Sequence, residues 1–207
     1  MKDIHNRNRL NSNKKVRGLA LLEILIAIGI LGIISAGVAT LASRTFEEQN
    51  ASLINKSVTD LSMSLKKAFS RAGQYSGDQD DFDALIAAGA ISENSATNPI
   101  TNAFYGYAPI AKYDGAVSGS AFVITINGLS KTLCKKIVTG PLVTDASYFA
   151  ASLLSAPTAP AHFDVDADLE SNGVIKTLRG LDSEANNPIA YEDVCEQGDN
   201  TILYGTY

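Results

Sequence analysis

Residues 18–43 read GLALLEILIAIGILGIISAGVATLAS, and no residue from Ile24 to Ser43 is charged. An α-helix rises about 1.5 Å per residue, so this stretch is long enough to cross the ~30 Å hydrocarbon layer of a membrane. A helix buried in a soluble protein is shorter and less uniformly apolar. The stretch therefore predicts a membrane-spanning helix near the N-terminus.

The charges around this stretch predict its orientation. Residues 1–18 contain six basic residues and one acidic residue. Basic residues stay on the cytoplasmic side of a membrane, so the rest of the chain is expected to face outward. The rest of the chain contains 11 of the 17 basic residues and 21 of the 22 acidic ones, so it is acidic. We expect no nucleic-acid partner, because nonspecific binding depends on neutralising phosphates.

One carboxylate, Glu23, lies inside the apolar stretch. A charged side chain within a membrane is costly, and such residues are usually functional with a definite partner. Cleavage between Gly18 and Leu19 would create an α-amino group one helical turn before Glu23. The Glu23 of a neighbouring copy would then neutralise that amine in apolar packing, where an unpaired charge is expensive.

The residues alone leave other interpretations open. The stretch is also compatible with a signal peptide cut after a small residue such as Ala39 or Ala42, or with a plain single-span anchor. In those cases Glu23 is a carboxylate that reaches the membrane interface.

The segment KKVRGLALLEILI, residues 14–26, resembles the N-terminal signal of type IV prepilins. In that family a prepilin peptidase cuts after a glycine, the new N-terminal residue is N-methylated, and a glutamate four residues later acts in assembly. The resemblance implies cleavage between Gly18 and Leu19, methylation of Leu19 and an assembly role for Glu23. A mature chain that begins with Leu is similar to the type IVb subgroup, although Ala20 departs from the commoner threonine.

The helical pattern continues beyond the apolar stretch. We predict one helix from Leu19 to Ala72, ended by Gly73, whose second half packs an apolar stripe on a globular domain. The stripe recurs at spacings of three to four residues and consists of Phe46, Leu53, Ile54, Val58, Leu61, Leu65, Ala68 and Phe69.

Shorter elements are predicted in the rest of the chain. Residues 146–154 are ambiguous between helix and strand. The other elements are a helix over Asp81–Ala88, a turn at Asn98-Pro99, a strand around Phe104–Tyr107, a strand over Ala121–Ile126 ending in an Asn127-Gly128 turn, a helix over Lys131–Val138 capped by Ser130 and ended by Gly140-Pro141, and strands over Val174–Leu178 and Ile202–Tyr204.

The two cysteines, Cys134 and Cys195, lack the paired spacing of a zinc site. They form a disulfide in an oxidising compartment or remain two buried thiols. Residues 121–129, followed by Cys134, are similar to a block of type IVb pilins, and Thr97-Asn98-Pro99 resembles the turn between their long helix and sheet. In those proteins one disulfide binds the last segment to the sheet, which implies the pair Cys134–Cys195.

The sequence contains no recognisable catalytic or metal motif. After the leader His162 is the only histidine, and no nucleophile elbow or P-loop is present. The acidic run 162–168 lacks the glycine and glutamate of a calcium loop. We interpret it, and the aspartates between residues 78 and 83, as solvated acidic segments. We predict no enzyme, cofactor or metal site.

The predicted fold class is α+β, a long N-terminal helix packed on an antiparallel β-sheet domain with one disulfide. Its parts are a leader over residues 1–18, a transmembrane or filament-core half-helix over 19–43, and an amphipathic half-helix with an extracellular domain over 44–207. The resemblance implies the major subunit of a type IVb pilus, held in the bacterial inner membrane and then polymerised into an extracellular filament for adhesion or aggregation. Its implied partners are other copies, prepilin peptidase and the inner-membrane assembly machinery. The alternatives are a minor pilin, a type II secretion pseudopilin or, more distantly, a membrane-tethered periplasmic binding or enzymatic domain.

Overall fold

The computed structural model describes residues 13–152, 159–163, 173–181 and 194–207. It divides into two compact units, Met1–Phe46 and Glu47–Tyr207, and its α+β class confirms the predicted one. The elements are α1 Asn13–Phe69, α2 Gln79–Ala87, α3 Glu93–Ala96, β1 Gly106–Ile110, β2 Ala121–Leu129, α4 Lys131–Val138, α5 Pro141–Asp145, β3 Tyr148–Ser152, β4 Val174–Thr177, β5 Gly180–Leu181 and β6 Asn200–Thr206.

Helix α1 begins earlier and ends earlier than predicted. Its first turns, from Asn13, belong to the predicted leader, and its last helical residue is Phe69 rather than Ala72. The carbonyl of Phe69 accepts hydrogen bonds from the N–H groups of Ala72 and Gly73, at 3.0 and 3.2 Å. Gly73 has a φ of 71°, a left-handed conformation that glycine adopts without strain and that commonly ends helices.

The buried face of α1 in the second unit is narrower than the predicted stripe. The predictions for Leu53 and Ala68 are wrong, since both side chains are exposed, and so is that for Phe46 in the first unit. Leu53 is next to Ile54 in the chain, so a helix turns its side chain about 100° away from the core. The buried apolar residues of this part of α1 follow a strict spacing of three and four, namely Ala51, Ile54, Val58, Leu61 and Leu65.

The second unit is built on a sheet whose six described strands lie in the order β1-β2-β6-β3-β4-β5, and every neighbouring pair is antiparallel. Successive side chains of a strand face opposite sides. In β2, Phe122, Ile124 and Ile126 therefore join the core that contains the buried face of α1, whereas Val123 joins a second apolar cluster. The strand nearest the end of the sequence, β6, lies in the middle of the sheet.

The predicted turn at Asn127-Gly128 is wrong, because β2 continues through both residues to Leu129. The pairing with β6 shifts register between Ile126 and Leu129, and Gly128 has a φ of 75°. The glycine thus serves a β-bulge within the strand. The predicted turn at Asn98-Pro99 is confirmed: the Asn98 side chain accepts from the N–H of Ile100 and donates to the carbonyl of Asn127, both at 2.9 Å.

The elements whose ends are marked by capping or turn residues in the sequence lie at or near their predicted positions. Helix α4 has the predicted bounds, with the Ser130 hydroxyl accepting from the N–H of Leu133 at 3.2 Å. Helix α2 begins two residues before the predicted start, because Asp78 caps it. The ambiguous segment is a strand, β3. The strand predicted around Phe104 begins only at Gly106, because Phe104 forms an isolated bridge with Thr97.

The second apolar cluster is covered by residues 159–163. Phe163 is fully buried, and its ring stacks on Tyr148 with the centroids 5.2 Å apart. It packs directly over Gly205 of β6, where a methyl group would collide with the ring. Glycine is therefore required at this position by the close approach of Phe163.

We expect a chain that begins at Glu47 to fold alone, because the core residues that the structure describes all belong to Glu47–Tyr207. Such a chain should elute as a monodisperse species and melt cooperatively. A chain that begins at Thr59 is the matched control. It lacks Ala51, Ile54 and Val58, about 5 kcal/mol of apolar burial, and should not fold. Insolubility of the first chain with an intact disulfide would contradict this prediction.

Candidate functional site

The N-terminal half of α1 presents an apolar surface on all sides. From Ala20 to Leu41 every side chain is exposed, and the helix is long and apolar enough to cross a membrane, judged by length and composition. An apolar surface of this extent is covered by lipid or by protein. Its large members, each more than half exposed, are Leu21, Leu22, Ile24, Leu25, Ile26, Ile28, Ile30, Leu31, Ile33, Ile34, Val38 and Leu41.

The polar side chains near this surface differ in whether they have a hydrogen-bond partner. The hydroxyl of Thr40 donates to the carbonyl of Ala36 at 2.7 Å, and that of Thr45 donates to the carbonyl of Leu41 at 3.0 Å. Such bonds satisfy the hydroxyl group within its own helix, so that it needs no outside partner in an apolar environment. Glu23 is exposed and has no hydrogen-bond or ion-pair partner among the described residues. Its carboxylate is therefore the one charge from Ala20 to Ser43, and it is not compensated within these residues.

Small residues leave this helix surface open to close contact. A methyl group added at Gly29, Gly32 or Gly37 would meet no atom within 4 Å. Ser35 and Ala39 are also exposed, at a spacing of four residues. Small residues at this spacing let membrane helices approach one another closely. The described chain itself imposes no packing constraint at the three glycines.

The predicted pair Cys134–Cys195 forms a disulfide, with the Cα atoms 5.9 Å apart and a sequence separation of 61. Cys134 lies on α4, and Cys195 precedes β6. Both are fully buried. The bridge fastens the start of the central strand to the helix that follows β2.

Asn200, which the sequence did not single out, fixes the loop beside the disulfide. Its side chain is fully buried. The amide donates to the carbonyls of Leu129 and Glu196, at 3.1 and 3.0 Å, and its oxygen accepts from the N–H of Glu196 at 2.9 Å. The only local signal was the turn-forming run Gly198-Asp199-Asn200. The contact with Leu129 joins residues 71 apart and is not visible in the sequence pattern.

Hydrogen bonds also hold the amphipathic half of α1 on the domain. The hydroxyls of Ser57 and Tyr105 lie 2.6 Å apart, and burial raises the pKa of Tyr105 to about 12. Tyr105 therefore stays a neutral hydroxyl at physiological pH. Lys66 donates to the Thr206 hydroxyl at 2.9 Å. These contacts join residues far apart in sequence, so periodicity did not reveal them.

The acidic segments take part in local structure where they are described. Asp78 and Asp81 form a reciprocal capping box at the start of α2. Among described residues, no group of three or more His, Cys, Asp or Glu side chains is placed to hold a metal ion. Most of the acidic run after His162 lies outside the described residues.

Comparison with known proteins bears on these features. The family described as "Prokaryotic N-terminal methylation motif" matches residues 13–39. The chain is 31% identical over 128 residues to the toxin coregulated pilin of Vibrio cholerae serotype O1, and 30% identical to a second toxin coregulated pilin of Vibrio cholerae. Each alignment covers 59% of this chain and 56% of the relative, so the chain spans little more than half the length of these relatives.

The fold has a counterpart among solved structures. The crystal structure of TcpA, a type IV pilin from the Vibrio cholerae El Tor biotype, aligns with a TM-score of 0.64 at 20% identity. The alignment covers 77% of this chain and 99% of that one. The resemblance to the type IVb pilins is confirmed. The pilins that this chain resembles are structural proteins and not enzymes, which agrees with the prediction from its sequence.

The matched motif includes Gly18, Leu19 and Glu23. Gly18 and Leu19 lie on the helical backbone of α1, outside the part of the chain whose side chains are described. Cleavage, methylation and the assembly role of Glu23 remain predictions.

Proposed function

We propose that this pilin-like chain is the major structural subunit of a type IVb pilus. The observation that carries the proposal is the exposed apolar half of α1, which bears one uncompensated carboxylate within a prepilin-like motif. A helix of this kind has two suitable environments, a lipid bilayer and a bundle of similar helices. We infer that it occupies the first before assembly and the second afterwards.

The assembly step is driven by charge pairing in this proposal. Prepilin peptidase removes residues 1–18, and the new α-amino group of Leu19 is methylated but keeps its positive charge. When a subunit leaves the membrane, its apolar side chains exchange lipid for neighbouring helices, so little apolar burial is gained. The ion pair between the Leu19 amine of one subunit and the Glu23 carboxylate of another then favours the correct axial position.

The globular unit forms the outer surface of the filament in this proposal. The subunit is held in the bacterial inner membrane, with residues 1–18 in the cytoplasm, until the assembly machinery extracts it. Other copies of the chain, prepilin peptidase and that machinery are its partners. The exposed surface of Glu47–Tyr207 then serves adhesion or aggregation outside the cell.

Mass spectrometry of the mature N-terminus tests the proposal. We expect a chain that begins with Nα-methyl-Leu19. Gly18→Ala should lower the processed fraction, and Gly18→Phe should abolish it, because a large side chain blocks the cleavage site. Ser43→Phe is the matched control and should be processed normally. An intact Met1, or cleavage near Ala42, would refute the proposal.

Filament composition separates a major subunit from a minor pilin. We expect this chain to be the most abundant protein in filaments sheared from the cell surface. A trace amount in filaments built from another pilin would assign it to the minor pilins instead.

A further inference from the structure

The β1 edge of the sheet is closed to strand addition. An edge strand normally presents unpaired N–H and C=O groups that pair with a strand of another molecule. The sheet has two edges, β1 and β5. Among the described residues, which stop at Leu181 and resume at residue 194, strand β5 consists of Gly180–Leu181, and two residues are too few to template another strand. Strand β1 is longer, so its outward-facing groups decide whether copies can pair through their sheets.

Four successive outward positions of this edge lack a free N–H. In an antiparallel pair, the backbone groups of alternate residues point toward and away from the partner strand. Tyr107 and Pro109 of β1, and the flanking residues Tyr105 and Ala111, direct theirs away from β2. The N–H of Tyr105 donates to the carbonyl of Ala96 at 2.9 Å, and that of Ala111 donates to the carbonyl of Ala161 at 3.0 Å. Pro109 has no N–H. Only Tyr107 needs a partner from outside the backbone.

Gln79 supplies that partner. Its side-chain oxygen accepts from the N–H of Tyr107 at 2.8 Å, and its amide nitrogen lies 3.4 Å from the carbonyl oxygen of Tyr105. The same nitrogen donates to Asp83 at 2.9 Å. Gln79 is the first residue of α2, directly after the Asp78 cap that fixes the helix start. The side-chain amide thus takes the place of a neighbouring strand residue.

We propose that Gln79 seals the β1 edge and so prevents copies of this chain from pairing through their sheets. A residue in an antiparallel pair exchanges both its N–H and its C=O with the residue opposite. Without the Gln79 oxygen, the N–H of Tyr107 would be left unpaired at the outer edge of the sheet. In a filament subunit, which we infer from the proposed function, the seal keeps the sheets of neighbouring copies from pairing.

Full-length protein dispersed in detergent provides the test. Gln79→Met keeps the length of the side chain but removes the acceptor, whereas Gln79→Glu keeps an acceptor oxygen. We expect the Tyr107 amide to exchange with solvent about tenfold faster in Gln79→Met than in wild type, and Gln79→Glu to retain most of the protection. Gln74→Met is the matched control, because Gln74 is exposed, and it should behave as wild type.

Association is the decisive readout. At a temperature well below its melting transition, Gln79→Met should form sedimenting species that bind thioflavin T, while wild type and Gln74→Met stay dispersed. If Gln79→Met does not fold, Gln79→Asn, whose amide is one methylene too short, provides the same comparison. A folded variant with an exposed Tyr107 amide that stays dispersed like wild type would overturn the inference. Because this assay needs no filaments, failure of the proposed function would leave its outcome unchanged.

Discussion

Replacing Glu23 by alanine is expected to abolish filaments while leaving a processed, stable subunit in the inner membrane. The substitution removes a costly carboxylate from an apolar helix, so membrane insertion should be unharmed or improved. Cleavage, which we propose depends on Gly18, should persist. Assembly should fail, because the Leu19 amine of each incoming subunit would be buried without a counter-charge, a penalty of roughly 3–5 kcal/mol per subunit.

Three comparisons separate this effect from a general disturbance of the helix. Glu23→Gln, which keeps the size of the side chain but not its charge, should fail as Glu23→Ala does. Glu23→Asp should retain part of the assembly. Thr40→Ala changes another polar residue of the same surface, whose hydroxyl bonds only within the helix, and should assemble normally. Filament yield by shearing and mature subunit by immunoblot are the measurements. Normal filaments from Glu23→Ala cells would show that Glu23 is an interfacial residue without an assembly role.

Loss of the disulfide is expected to have the largest effect on the folded unit. A bridge that closes a loop of this length stabilises a protein by roughly 4 kcal/mol in the chain-entropy model. Domains of this size are stable by only about 5–15 kcal/mol in total. Cys134→Ser also places a hydroxyl at a fully buried position, which adds a desolvation cost. We therefore expect steady-state subunit levels to fall before any effect on filament function is seen.

Thiol accessibility and unfolding curves measure this prediction. In native protein without reductant, an alkylating reagent should label neither Cys134 nor Cys195. The double variant with alanine at both positions should unfold at a lower denaturant concentration than wild type. Ser76→Ala, at an exposed position in the same unit, is the control and should unfold as wild type does. Labelling of both thiols in native protein would contradict the bridge.

Local signals made much of the fold predictable. Helix α4 has its predicted bounds because Ser130 caps its start, and Thr139-Gly140-Pro141 cannot continue it. The Asn98-Pro99 turn is likewise encoded by its own residues. The apolar half of α1 is recognised from hydropathy alone, since no soluble core accommodates such a surface.

Features that depend on distant partners were not predictable in the same way. Asn127-Gly128 is a strong turn signal, but β6 pairs along the whole of β2 and converts it to a bulge. Leu53 matched the apolar periodicity, yet its neighbour Ile54 occupies the core. The role of Gln79 depends on a strand that begins 27 residues later at Gly106.

The candidate site was predictable for a different reason. Gly18, Leu19 and Glu23 form a compact motif whose meaning depends on sequence spacing rather than on folding. In the proposed function, their chemistry involves a peptidase and a second copy of the chain. The structure of a single chain therefore shows the exposed carboxylate and the apolar surface. The proposed pairing of the Leu19 amine with the Glu23 carboxylate can be measured only in the polymer.

The central position of β6 determines when the globular unit can be completed. Its pairings with β2 and β3 join the two halves of the sheet, so the sheet stays in two parts until β6, which follows the other described strands in the chain, has been made. Until then β2 and β3 are two open edges on which the β6 of another copy could dock. Once the disulfide has formed, Cys195 holds its own β6 beside that gap at an effective concentration on the order of millimolar. The disulfide thus favours pairing of β6 with the β2 and β3 of its own chain over exchange of strands between neighbouring subunits.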